Sequence, residues 1–129
     1  MKSLKNKAEF DFVYKNSRKY YGECFHSYIL TFSHPSLKER QFSFKERRIF
    51  SKLLASQDAL WIGLSVSKKM GNAPTRNKIK RRFRAFCRIH QEDLRGKAIV
   101  FVAKDAKNLD FKRIEKEMFL FLKRKSEKF

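Results

Sequence analysis

Apolar positions along this chain fall into blocks whose spacing alternates between helical and strand-like. Over roughly Lys5 to Lys15, Phe10, Val13 and Tyr14 recur at helical spacing with Leu4 just ahead, which predicts a short helix. Cys24 to Phe32, CFHSYILTF, is rich in strand formers. Period two puts His26, Tyr28, Leu30 and Phe32 on one face and Phe25, Ser27, Ile29 and Thr31 on the other. Gly22, just before it, permits a bend or bulge. In Leu60 to Val66, LWIGLSV, the residues Leu60, Ile62, Leu64 and Val66 alternate with Trp61, Gly63 and Ser65, predicting a strand with one apolar face. Gly63 and Ser65 are small, so the other face can floor a ligand. After the breaker Gly96, Lys97 to Ala103 (KAIVFVA) is the continuous apolar run of a strand buried on both faces. Leu109 to Lys125 predicts a last helix, with Asp110 as N-cap and Phe111, Ile114, Met118, Phe121 and Leu122 as its core stripe. Its basic end, KRKSEK, suits a helix C-terminus.

Residues 35–59 are less regular. RQFSF reads as an extra strand, and ERRIFSKLLASQ as a short surface helix with Ile49, Phe50, Leu53 and Leu54 on one side.

The strongest pattern lies in Ser67 to Arg88, SKKMGNAPTRNKIKRRFRAFCR. Gly71 and Asn72 open a turn, and Pro74 falls near the first helical position, where its missing N–H costs nothing. Ile79, Phe83, Phe86 and, more weakly, His90 then mark one face of a helix. Asn77, Arg81, Arg84 and Arg88 cluster on the opposite face, with Arg76 and Lys80 along one flank. From Lys68 to Arg88 there are nine Lys or Arg and no Asp or Glu. A merely solvated face mixes signs, because Lys80–Arg84 and Arg84–Arg88 are like-charge i, i+4 pairs that each cost a few tenths of a kcal/mol. A sequence that accepts this repeatedly faces a polyanion.

Charge widens the point to the whole chain. At 129 residues it forms one domain with a real core, and its formal net charge of +19 selects nucleic acid or an anionic membrane as partner. No apolar run approaches a spanning helix, and MKSLKNKAEFDF lacks the apolar stretch of a signal peptide. The 14 Phe separate it from a disordered basic tail. Cys24 and Cys87 make no metal pair or disulfide framework and read as reduced thiols of a cytoplasmic protein. His26, His34 and His90 are scattered, and no carboxylate pair marks a protein active site.

SKKMGNA followed by R-N-K-I-K-R closely resembles the signature of the bacterial ribonuclease P protein component, SKKxGNAxxRNRxKR. Lys78 stands where that family more often has Arg, which keeps the charge and loses the bidentate fork. The resemblance implies an α+β fold like the second domain of ribosomal protein S5. That fold has a central, mainly antiparallel sheet, a left-handed βαβ crossover through the basic helix, and flanking helices. The connection at about 35–59 is longer than is usual in the family. The resemblance assigns RNA binding to Lys68, Lys69, Arg76, Asn77, Lys78, Lys80, Arg81, Arg84 and Arg88. It assigns the single-stranded 5′ leader of precursor tRNA to a cleft containing Phe10, Tyr14 and Tyr28. For those three rings plain core packing is the competing reading. The implied activity is that of an endoribonuclease subunit in tRNA 5′ maturation, with catalysis and Mg2+ residing in the RNA subunit. The implied partners are the ribonuclease P RNA and precursor tRNA, with no membrane and no protein partner evident. A ribosomal or ribosome-associated RNA-binding protein of similar fold is the alternative. A helix-turn-helix DNA binder fits poorly, because Leu60–Val66 reads as strand where a first helix is needed.

Overall fold

The computed structural model describes residues 1–105 and 109–127, with side chains to Lys123; the rest of the basic KRKSEK end lies outside the described side chains. Five strands, β1 (Lys2–Ser3), β2 (Arg18–Tyr21), β3 (Phe25–Thr31), β4 (Trp61–Ser65) and β5 (Lys97–Ala103), form one mixed sheet in the order β1-β4-β5-β3-β2. β2–β3 and β3–β5 pair antiparallel, while β1–β4 and β4–β5 pair parallel. Five helices flank it: α1 (Lys7–Asn16), α2 (Ser36–Glu39), α3 (Phe44–Leu54), α4 (Ala73–Ile89) and α5 (Phe111–Glu127). α4 is the crossover between the parallel neighbours β4 and β5.

Each sheet face has its own core. Ile62, Leu64, Ile99, Phe101, Phe25 and Ile29 meet Ile79, Phe83, Phe86 and Cys87 of α4 and Ile114, Met118 and Phe121 of α5. Trp61, Ala98, Val100 and Leu30 meet Phe12 and Val13 of α1, Leu37 of α2 and Leu53 of α3. The helix phases read from the sequence therefore hold for α4 and α5; in α1 the buried face is Glu9, Phe12, Val13 and Asn16, so of the expected Phe10, Val13 and Tyr14 only Val13 is fully buried and Phe12 joins it. Asp110 caps α5 by accepting from the Arg113 N–H at 2.9 Å.

The region 35–59 differs from the sequence reading. RQFSF is no strand: Arg40 to Ser43 have no regular structure, and Phe44 already begins α3. A capping box decides this, in which Ser43 accepts from the Glu46 N–H and the Glu46 side chain reaches back to the Ser43 N–H. α3 lies along the outer side of α1. Lys52 pairs with the buried Glu9 at 2.6 Å, and Phe12 packs on Phe42 and Phe50 at 5.5 and 5.7 Å. Burial pushes the Glu9 carboxyl up, but Lys52 and the N–H groups of Lys5 and Asn6 outweigh it and hold it below the usual range.

β1 and β2 are strands absent from the sequence reading, and for β1 the sequence pattern offers no signal. β1 is held by backbone, with the Lys2 and Leu4 N–H groups donating to the carbonyls of Leu60 and Ile62. Because β1 pairs only with Trp61 and Ile62, the outer edge of β4 from Gly63 onward has no strand partner.

Candidate nucleic-acid interface

The turn into α4 shows why SKKMGNA has its composition. Lys68–Met70 form a single 3-10 turn, which ends at Gly71 with φ +130, a conformation that favours glycine. Asn72 then caps α4 by accepting from the Thr75 N–H at 3.0 Å, and Pro74 sits in the first turn, where no N–H is missed. The result is two exposed lysines, Lys68 and Lys69, at the mouth of the helix.

Along α4, Asn77, Lys78, Arg81, Arg84 and Arg88 are exposed, and Arg76 and Lys80 are half-buried. Lys80 and Arg84 lean toward the sheet edge, where with Ser3, Ile62 and Leu64 they line a cavity of about 90 Å³. None of the cations assigned to RNA forms an ion pair among the described residues. The Arg76 Nε is buried without a protein partner. Arg82, outside that set, donates to the Leu109 carbonyl and so ties α4 to the start of α5. An uncompensated row of this kind binds phosphates.

The opposite sheet face brings the three candidate aromatics together. Phe10 and Tyr14 of α1 lie 6.3 Å apart, and Tyr14 meets Tyr28 of β3 edge-on at 4.7 Å. All three are half-buried and pack against the edge of the second core, so their rings remain partly open to solvent. Gly63 makes room for the first of them: a Cβ there would stand 2.7 Å from the Phe10 ring. Burial, only partly offset by Ser65, holds the Tyr14 hydroxyl above its usual pKa. The small residue at 63 thus lets the Phe10 ring of α1 pack directly on the sheet, the packing by a helix that a small-residue face also allows.

β4 joins the two surfaces. Gly63 and Ser65 face the cleft, Ile62 and Leu64 face α4, and the strand then runs directly into Lys68. The Ribonuclease P family model matches residues 1–126. The chain belongs to the ribonuclease P protein family. It is 43% identical over 122 residues to the ribonuclease P protein component of Helicobacter pylori (strain P12), covering 93% of this chain and 74% of that protein. The component of Helicobacter hepaticus is 37% identical over 117 residues, covering 90% of this chain and 78% of that protein. Among solved structures, the Staphylococcus aureus RNase P protein matches with a TM-score of 0.67 at 27% identity, over 95% of this chain and 94% of that one. The RNase P protein from Thermotoga maritima matches at 0.65 with 20% identity, over 96% and 97%, a likeness of fold. The protein is a subunit of ribonuclease P, and the ribonuclease P RNA is its partner.

Several residues of this ribonuclease P subunit escape sequence reasoning because only the sheet places them. Registers set Lys19, Tyr28, Val100 and Gly63 in one row and Tyr21, His26, Val102 and Ser65 in the next. The Lys19 ammonium lies 5.2 Å from the Tyr28 ring centroid and 4.5 Å from that of Tyr21. The Tyr28 hydroxyl beside it holds Lys19 above its usual pKa. Burial, Lys19 and Lys104 push the His26 imidazole below its usual value, so it is neutral at pH 7. The usable signal was RKYY, whose paired tyrosines just before Gly22 mark a short strand. Both cysteines are free, and burial raises the Cys87 thiol to about 12, which makes it inert.

Among the described residues no group of three or more His, Cys, Asp or Glu could hold a metal ion, and the candidate interface is cationic. No described helix is long and apolar enough to cross a membrane.

Proposed function

We propose that α4 and the Lys68–Lys69 turn dock on the ribonuclease P RNA, while the Phe10–Tyr14–Tyr28 cleft holds the single-stranded 5′ leader of precursor tRNA. The observation that carries this reading is the pairing of two surfaces across β4. One is a row of cations without carboxylates, and the other is a half-open set of aromatic rings. Arg and Lys hold phosphates without reading sequence. Aromatic faces stack on any base, at about 1–3 kcal/mol each. A leader is present on precursor and absent from mature tRNA, so the cleft favours substrate over product.

The endonucleolytic step belongs to the RNA subunit in this reading. The hard cation Mg2+ is held by RNA phosphates and supplies the metal-assisted hydrolysis there. The protein positions the leader and neutralises phosphate repulsion between the two RNAs. Such a complex works in the cytoplasm, where tRNA matures.

Reconstitution with a bacterial ribonuclease P RNA tests this. The protein should stimulate leader cleavage at low magnesium, and binding to the RNA without stimulation would contradict the role. Affinity should fall by about 0.7–0.9 log units per phosphate contact per decade of salt. Arg81→Ala should weaken RNA binding and flatten that slope by about one contact. An unchanged slope removes Arg81 from the interface.

A further inference from the structure

Region 35–59 places a second set of cations on the α1 side of the sheet, across from α4. Two of its exposed arginines are held in place by neutral groups. Arg40 donates from Nη1 to the Asn16 Oδ1 at 2.7 Å and to the Lys15 carbonyl at 3.3 Å. Asn16 is itself buried, and its amide nitrogen donates to the Phe12 carbonyl at 2.9 Å, which turns its oxygen to Arg40. Arg47 donates from Nε to the Phe42 carbonyl at 3.3 Å. Neither arginine forms an ion pair among the described residues. Glu46, next to Arg47, is engaged by the Ser43 N–H and by Lys15.

With Gln41 and Phe42, the two arginines line an open recess of about 380 Å³ that no carboxylate enters. A merely solvated face would pair these charges, as Lys15–Glu46 and Lys52–Glu9 are paired nearby. A guanidinium held at one nitrogen and open at the others loses little freedom on binding, and its planar fork matches two phosphate oxygens.

The recess begins where the aromatic cleft ends. Tyr14 of the cleft is followed directly by Lys15 and Asn16, the two residues that anchor Arg40. At about 1.5 Å of rise per residue, the anchor lies about 3 Å along α1 from Tyr14. Tyr14 and Asn16 project from opposite sides of the helix, and α1 stops at Asn16. A strand leaving the rings therefore reaches the recess by passing round the C-terminal end of α1, whereas α4 lies across the sheet. We propose that Arg40 and Arg47 clamp a backbone phosphate of the precursor leader beyond the bases held by the rings, so that region 35–59 lengthens the leader path. Such a clamp holds the chain without reading its sequence. The inference rests on the cleft being the leader site.

Reconstituted holoenzyme and precursor tRNAs trimmed one leader nucleotide at a time test it. Affinity should rise in two stages, first as the leader fills the rings and again when it is long enough to reach the recess. Arg47→Ala leaves α1 untouched and is the cleaner variant. It should remove the second rise, a loss of roughly tenfold for one charge-assisted contact. It should also lower the salt slope for long leaders by about 0.7 log units per decade. Arg47→Lys should keep that slope and recover part of the affinity, because the charge stays and the fork goes. Arg40→Ala should show the same dependence on leader length, with a lower melting temperature from the lost tie to Asn16. Binding of mature tRNA and of short-leader precursor should be unchanged in all three. A loss in Arg47→Ala that is equal at every leader length, a weaker affinity for the ribonuclease P RNA alone, or no loss at any length overturns the proposal. Tyr28→Ala on the same series separates the two levels. If it weakens precursor binding while Arg47→Ala does not, only the clamp fails. If it leaves precursor binding intact, the leader site itself is misplaced.

Discussion

The two faces of the sheet use aromatic rings in opposite ways. On one, Phe25, Phe83, Phe101 and Phe121 are each at most 2% exposed, with centroids 4.8–5.9 Å apart along their contacts. On the other, Phe10, Tyr14 and Tyr28 meet at comparable distances, 4.7 and 6.3 Å, yet stay half-buried. Ring contact does not separate a core from a platform; cover does. α4 and α5 close the first cluster completely, whereas α1 ends at Asn16 and leaves the β2–β3 end of its sheet face open. Composition differs less: the closed cluster also holds Tyr20, 4% exposed and stacked on Phe121 at 5.5 Å, while the open one carries two hydroxyls that suit a half-wet site. Exposure of the rings, beside Lys19, is thus what separates the open set from the closed one.

The comparison breaks most visibly at Phe83. Phe83→Asp puts an unpaired charge into the closed cluster and should destabilise by about 3–5 kcal/mol or more, read as a collapse of the thermal melt. A melt within 1 kcal/mol of wild type, an outcome the burial energy forbids, would mean that α4 is wrongly phased on the sheet. The open cluster should respond differently. Gly63→Ala sets a Cβ 2.7 Å from the tip of the half-buried Phe10 ring, which must shift to make room. The expected cost is about 1–3 kcal/mol of overpacking or less, accompanied by weaker binding of precursor tRNA. A variant that binds precursor normally would show that Phe10 need not lie over Gly63.

Much of this arrangement was legible before the structure, and the failures have identifiable physical causes. α4 could be phased because Ile79, Phe83 and Phe86 repeat at helical spacing over several turns, opposite a face made only of cations and Asn77. β5 announces itself by a continuous apolar run and β3 by its strand-forming residues. β1 could not, since Lys2 and Ser3 are exposed and only their backbone is engaged. RQFSF was misjudged as a strand because aromatic content was weighed above the local cap. Ser43 and Glu46 form an S-x-x-E box that predicts a helix start at that point. The cleft was legible only through resemblance. Phe10 and Tyr14 are an i, i+4 pair on α1, but nothing in the spacing brings Tyr28 to them, and Lys19 and His26 join them solely through strand register.

The central claim is that the open rings hold the leader while the closed ones hold the fold. Tyr28→Ala in the reconstituted holoenzyme tests it most directly, with affinity measured for precursor tRNA bearing a long leader and for mature tRNA. The account predicts a loss of about 1–3 kcal/mol for the precursor alone, with the melting temperature little changed. Equal weakening for both RNAs, with a clear drop in stability, would contradict it and return Tyr28 to the core.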